Sequence, residues 1–292
     1  MNILIKDCSL GRLAVIFFQF NLLCCLTFPL LGQGNYFTLE DGTKLYTEEA
    51  GKGQTLLFIP GWTMTHRFFE KQKEYFSKDY HVVTYDPRGQ GRSDKTTYKN
   101  TYANHAADLR ELILKKDWKD IVLIGWSSGC LTMYEYLRAY DTDRLSKLVF
   151  IDEPPKWIGD PEKEWVYGTF DDYRSSLKGR NAEPSEPNNI INWMLNDSID
   201  TQTRAWMREE ILMTPPHVAM YLYLEGVACD YTREVKNLSL PSLFMVNNSW
   251  YDHAKDWLKV NAPKAKVKSI TSHAMFWERP EAFNNLLLEF LR

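Results

Sequence analysis

"IVLIGWSSGCLTM", residues 121–133, runs four branched apolar residues into a serine held between two glycines. A continuous apolar run, unlike an alternating one, reads as a strand covered on both faces. Gly125-Trp126-Ser127-Ser128-Gly129 is then the G-x-S-x-G pattern, set between that strand and a helix over 128–140. A sharp strand-to-helix turn strains the serine backbone and lifts its hydroxyl above the sheet. A side chain at either glycine would collide with the neighbouring strand or helix. The same turn sets the Ser128 N–H at the helix amino end, where it can donate to an oxyanion. The plain alternative is a structural Gly/Ser turn; the strand before and the helix after favour a nucleophile.

Outward from this stretch the pattern repeats. A hairpin turns at Asp41-Gly42. Strands at 55–61, 81–86, 121–126, 147–152, 241–247 and 265–273 alternate with helices at 65–77, 101–116, 128–140, 252–261 and from Pro280. Alternating buried strands and helices imply crossover connections, hence an α/β fold: a mostly parallel sheet of about eight strands flanked by helices. Between Asp152 and Asn237 the strands stop and helical, Trp- and Pro-bearing sequence takes over. About 85 residues is too long for a plain loop. The expected organisation is a core over 35–152 and 238–292, with a helical cap over 153–237 inserted between two strands.

Residues 1–34 stand apart. No charged residue occurs from Leu13 to Leu39, and Lys6 and Arg12 precede the apolar run. That layout reads as a signal peptide or, given its length, an uncleaved membrane anchor. The expected location is secreted or extracytoplasmic, with membrane contact only through this segment if it is retained. Of five cysteines, Cys8, Cys24 and Cys25 fall in or before it. Cys130 and Cys229 make no disulfide framework, and Cys130 reads as a packing residue. A formal net charge of -3 with no basic run gives a nucleic-acid partner no electrostatic support. No His/Cys/carboxylate spacing suggests a metal, and "PRGQG" lacks the phosphate-loop ending.

A serine hydroxyl needs a base. The six histidines are His66, His81, His105, His217, His253 and His273. His273 closes the last expected strand, so the order Ser, acid, His fits. His81 begins a strand, His105 lies on a helix and His217 in the cap, positions that read as structural; His66, after "PGWTM", could line a pocket.

From Tyr36 onward the chain resembles the α/β-hydrolase-fold superfamily, in its capped, esterase- and haloperoxidase-like branch. The matching stretches are "PGW" (60–62), "DPRGQGRSD" (86–94), "GWSSG" (125–129) and "HAMFWERPEAF" (273–283). The resemblance implies Ser127 as nucleophile, His273 as base, and the backbone N–H of Trp62 as an oxyanion donor beside that of Ser128. The family's usual histidine before Gly61 is Pro60 here. The family's usual acid follows the strand "PSLFMVN", where this chain has "VNNSWYDHA" and offers only Asp252, two residues late. A second arrangement in the superfamily puts the acid after the preceding strand, which offers Asp152. Asp152 is preferred because its distance from a clear strand end is fixed; Asp252 stays the alternative. In this resemblance Asp86, Arg88 and Asp94 more often hold a loop than react. Trp126, Trp157 and Trp165 are the expected pocket residues, and an aromatic cap implies a substrate with an apolar portion. The expected activity is hydrolysis of a carboxylic ester, lactone or similar small acyl compound, with no cofactor. The rivals are cofactor-free perhydrolysis or carbon–carbon bond hydrolysis with the same residues, and a receptor that keeps the triad but barely turns over.

Overall fold

The computed structural model describes residues 34–179 and 186–292, so the expected leader lies outside the described residues apart from Gly34. Eight strands form one sheet in the order β1-β2-β4-β3-β5-β6-β7-β8. β1 (Asn35–Thr38) and β2 (Lys44–Ala50) pair antiparallel across the expected turn, where Gly42 takes a φ of 86°. β2 pairs antiparallel with β4 (His81–Tyr85). From β4 through β3 (Thr55–Ile59), β5 (Ile121–Trp126), β6 (Leu145–Ile151), β7 (Ser242–Asn247) and β8 (Lys266–Ile270) every pairing is parallel.

The apolar runs are explained by two cores, one on each face of the sheet. Alternate residues of a strand point to opposite faces. Leu57, Ile59, Leu123, Leu148 and Phe150 join one cluster; Leu56, Phe58, Ile124, Val149 and Ile151 join the other. Helices cover both. On the first face lie α2 (Tyr102–Lys115), α3 (Gly129–Tyr140) and α9 (Tyr251–Asn261); on the second lie α1 (Glu70–Phe76) and α11 (Pro280–Leu291). Between β6 and β7 come α4 (Phe170–Gly179), α5 (Pro187–Met194), α6 (Thr201–Leu212), α7 (Pro216–Ala228) and the short α8 (Thr232–Lys236). These helices are tied to the sheet loops by specific bonds. Trp62 Nε1 donates to the Ala219 carbonyl at 2.7 Å, and Ala274 N donates to the Met194 carbonyl at 2.9 Å. Among the described residues no helix is long and apolar enough to cross a membrane.

Among the expected boundaries that shift, one bears on the histidine. The last strand stops at Ile270, before reaching His273. The Thr271 carbonyl accepts from Asn196 Nδ2 at 3.0 Å and the Thr271 hydroxyl donates to Glu278, so this backbone turns out of the ladder and leads into α10 (Met275–Glu278).

The serine turn is packed as tightly as its glycines suggest. A Cβ on Gly125 would lie 2.6 Å from Met133 Sδ and 2.9 Å from the Cys130 nitrogen of α3. A Cβ on Gly129 would lie 2.5 Å from the Ile59 carbonyl oxygen and 2.7 Å from that of Pro60. Backbone on the receiving side cannot yield as a flexible side chain can. Gly129→Ala should therefore cost about 1–3 kcal/mol of unfolding free energy, read by urea unfolding; a variant as stable as the parent would contradict this packing.

Candidate active site

Ser127 follows the last residue of β5 with a φ of 52°, in the left-handed region that side-chain-bearing residues seldom occupy. The conformation is held on both sides: Ser127 N donates to the Ile151 carbonyl at 2.8 Å, and the Ser127 carbonyl accepts from Cys130 N at 2.8 Å. Directly over it passes Gly61, whose Cβ, if present, would lie 3.1 Å from Ser127 Cβ. Gln90 Nε2 donates to the carbonyls of Gly61 and Met64 at 3.1 and 3.0 Å and so fixes this loop from the Gly-rich turn. Among the described residues neither the N–H of Trp62 nor that of Ser128 has an acceptor. Two unpaired donors thus flank the serine.

His273 is 6% exposed, and its Nδ1 lies 2.7 Å from Asp152 Oδ2. Asp152 comes one residue past β6, with a φ of 54°. Its carboxylate also accepts from the backbone N–H of Asn247 at 2.7 Å and from Asn247 Nδ2 at 2.9 Å. Those donors leave the carboxylate only one role toward the imidazole, that of acceptor from Nδ1–H, so Nε2 is the free lone pair. Trp126 Nε1 donates to the His273 carbonyl at 2.9 Å, which fixes the histidine backbone against the residue preceding the serine. The Trp193 ring lies over the imidazole at 4.2 Å. Among the described residues no hydrogen bond joins Ser127 Oγ to His273 Nε2.

Of the two candidate acids, the structure brings Asp152 to His273. Asp252 sits exposed in the first turn of α9 and makes no bond to the histidine; with Trp250 as the N-cap, it does not cap the helix either. Trp126 is 1% exposed and wedged among Phe68, Phe69 and Phe276, a floor beneath the histidine. Trp157 is half-buried, and its ring lies against Gly226 and Tyr223 of α7. Trp165 is a correction. It is 1% exposed and packs on Phe244 of β7 and Trp257 of α9, within the core, and does not line an opening. A tryptophan in the segment after β6 can turn either way, and no local pattern distinguishes the two.

Three neighbours escape the sequence reading. Asn247 anchors Asp152 because β6 and β7 are adjacent, a long-range fact. Trp193 is one aromatic among many in its segment. Glu153, next to Asp152, is 1% exposed and accepts from Trp157 Nε1 and, at 2.7 Å, from the Tyr167 hydroxyl. Burial pushes its carboxyl up to about 8, against the hydrogen bonds of Tyr167 and Trp157, and the Asp152 charge adds to the rise. A charged residue between a buried strand and "PP" is the one signal that could have marked it.

A family model described as the alpha/beta hydrolase fold matches residues 54–187. A non-heme chloroperoxidase of Streptomyces lividans is 28% identical over 279 residues, covering 87% of this chain and 98% of that protein. An esterase from Exiguobacterium antarcticum superposes with a TM-score of 0.80 at 20% identity, over 89% of this chain and 99% of its own. An enol-lactonase from Burkholderia xenovorans LB400 does so with a TM-score of 0.74 at 19% identity, over 88% and 99%.

The Gly-rich turn is held by its own hydrogen bonds and ion pairs. His105 is buried with Nε2 3.0 Å from the Arg88 carbonyl, while His217 and His253 are exposed. Arg88 pairs with Asp108 at 2.7 Å and Asp41 at 2.9 Å, and Asp94 accepts from Lys44 N at 2.8 Å. Asp86 accepts from the backbone N–H groups of His66 and Arg92, both at 2.7 Å. His66 bridges Asp86 at 2.8 Å and Glu48 at 3.2 Å, beside a cavity of about 260 Å³ that does not reach Ser127. Burial alone would lower the His66 pKa, but Asp86 and Glu48 hold it up to about 9, from 6.5. The folded chain keeps this proton where the unfolded chain sheds it. The stabilisation is therefore complete below pH 6.5 and lost as pH rises through about 9. Urea unfolding of the parent and His66→Gln should show a stability gap that narrows across that window; a gap that does not change with pH would contradict the bridge.

Proposed function

We propose that the chain, whose fold is that of the alpha/beta hydrolases, is a serine hydrolase of the esterase- and haloperoxidase-like branch that cleaves a carboxylic ester, lactone or related acyl substrate. The observation that carries the reading is the 2.7 Å contact of His273 Nδ1 with Asp152, formed beside a serine held at a φ of 52°. In this reading Ser127 Oγ attacks the acyl carbon while His273 Nε2 takes its proton. Asp152 holds the tautomer and stabilises the imidazolium that forms. The N–H groups of Trp62 and Ser128 receive the oxyanion, charge that develops only on the way to the tetrahedral intermediate. His273 then gives its proton to the departing alkoxide, and water clears the acyl-enzyme by the same route in reverse. The serine–histidine hydrogen bond closes when substrate displaces water and seats the hydroxyl, as catalytic bonds often tighten only in the complex.

The walls suit an apolar substrate. Trp193 covers the histidine on one side, and the rings of Trp62, Tyr223 and Trp157 run in contact on another. The Trp193 face is also suited to the imidazolium, since a cation over an indole is stabilised by about 0.5–1 kcal/mol at an exposed site. With the leader removed, the protein works outside the cytoplasm on a small acyl compound; with the leader retained, it works at a membrane. A second reading, supported by the chloroperoxidase relative, is perhydrolysis, in which hydrogen peroxide replaces water at the deacylation step and no cofactor is required.

Short p-nitrophenyl esters and a fluorophosphonate probe test the reading together. The parent should turn over the ester and take the label, and Ser127→Ala should lose both. Labelling without turnover would favour a receptor. Asp152→Asn should lose on the order of ten-thousand-fold in kcat through the wrong tautomer, whereas Asp252→Asn should stay near the parent. The reverse ranking would overturn the acid assignment.

A further inference from the structure

The loop after β3 carries the Trp62 N–H and is bent against its own preference. Met64 N donates to the Gly61 carbonyl at 3.1 Å and closes a turn in which Thr63 takes a φ of 62°. A positive φ at that position of a turn usually falls to Gly or Asn, and a β-branched residue there is strained. Such strain persists where the surroundings fix it. Pro60, just ahead of the turn, has no N–H with which to anchor it.

Two sets of bonds hold the loop. From the sheet side, Gln90 Nε2 reaches the Gly61 and Met64 carbonyls, and Asp86 accepts from His66 N at 2.7 Å. From the other side come three residues of the α6–α7 corner. The Trp62 indole donates to the Ala219 carbonyl at 2.7 Å, and Thr214 Oγ1 donates to the Thr63 carbonyl at 3.5 Å. The third is Glu210, 1% exposed in the last turn of α6, which accepts from the Thr65 hydroxyl at 2.6 Å. Its two oxygens also take both terminal nitrogens of Arg92, each at 3.2 Å, and Arg67 Nη1 adds a contact at 3.4 Å. The Arg67 guanidinium lies 4.6 Å over the ring of Trp206, one turn back on α6. Thr65 Oγ1 accepts from Arg67 N at 3.4 Å, so its single proton is committed to Glu210. One buried carboxylate thus joins the end of the loop to the Gly-rich turn, by charge-assisted bonds stronger than the neutral ones beside them.

We propose that Glu210 is a positioning residue for the oxyanion donor: by holding Thr65 and Arg92 from α6, it keeps the strained turn at Thr63 in place and so aims the Trp62 N–H at the charge that develops on the substrate. The proposal rests on the serine-hydrolase reading above, and it gives the helices between β6 and β7 a part in the chemistry beyond walling the substrate in. Glu210 touches neither substrate nor reacting atoms. Without its carboxylate, Thr65 loses its acceptor, the turn relaxes toward a negative φ at Thr63, and the Trp62 N–H leaves the oxyanion position. That charge forms on the way to the tetrahedral intermediate and is absent from the bound ester, so the loss falls on kcat and spares KM. A displacement of about 1 Å suffices for a loss on the order of a hundredfold.

The test measures kcat and KM for a p-nitrophenyl ester, per serine titrated with a fluorophosphonate, in the parent, Glu210→Gln, Thr65→Val, Thr65→Ser and the double variant Glu210→Gln with Thr65→Val. Counting labelled serines removes any loss that comes from misfolded protein. Glu210→Gln should lower kcat on the order of a hundredfold and leave KM within about threefold. Thr65→Val should fall in the same way, and the double variant little further, because both changes remove one bond. Thr65→Ser, which keeps the hydroxyl, should lose far less than Thr65→Val. In a Thr63→Gly background, where a positive φ carries no strain, Glu210→Gln should cost no more than about tenfold. Inhibition by a trifluoromethyl ketone, which forms a tetrahedral oxyanion on the serine, should weaken in parallel with kcat. Equal kcat per labelled serine in the parent and Glu210→Gln, or a loss confined to KM, would overturn the proposal and leave Glu210 a brace of the fold alone. A parent that takes no label and turns over no ester removes the hydrolase reading, and the positioning role with it, while coupling between Glu210 and Thr65 in urea unfolding would still show the clasp.

Discussion

Two absent methyl groups govern the serine turn. With hydrogen alone at Gly125 and Gly129, α3 can start within van der Waals contact of the end of β3 and the last residues of β5. Any larger side chain would push the helix off, and the strained φ of 52° at Ser127 would have no reason to persist. That closeness also leaves the Ser128 N–H without a helical acceptor, because it stands at the start of α3. The hydroxyl, its strain and one of the two free donors are thus consequences of one packing constraint.

The other half of the site depends on adjacency across the sheet. β5, β6 and β7 lie side by side in register, Trp126 opposite Ile151 and Ile151 opposite Met245. One residue beyond β6, Asp152 therefore reaches both Asn247 at the end of β7 and the histidine loop beyond β8. A carboxylate there is held by His273 Nδ1 and by both nitrogens of Asn247. One residue further along the same backbone, the side chain points into an aromatic enclosure with no cation. Two acids with the same chemistry are in this way given different surroundings by a single step in the chain.

How much of this is legible in the sequence follows from the range of each interaction. The strands and the turn are written locally, because alternation, apolar run length and a Gly pair act within a dozen residues. His273 is legible by order, since the other five histidines fall at strand starts, on helices or in surface segments. The choice between Asp152 and Asp252 is not local: it depends on which strand end lies nearer the histidine loop, and Trp250, which caps α9 ahead of an exposed Asp252, shows how little the spacing alone decides. Trp165 is not legible for the opposite reason, since composition marks an aromatic segment without saying which rings turn to the core. Glu153 is hardest, because a glutamate followed by two prolines looks like a surface turn, and only the fold of the strap encloses it.

The most direct measurement of the central claim is a crystal structure of the protein after reaction with a fluorophosphonate. The account predicts a phosphorus–oxygen bond on Ser127 Oγ, a phosphoryl oxygen about 2.7–3.1 Å from the N–H groups of Trp62 and Ser128, and His273 Nε2 turned to the serine oxygen with Nδ1 still on Asp152. An adduct on another residue, or a phosphoryl oxygen pointing away from both donors, would contradict it.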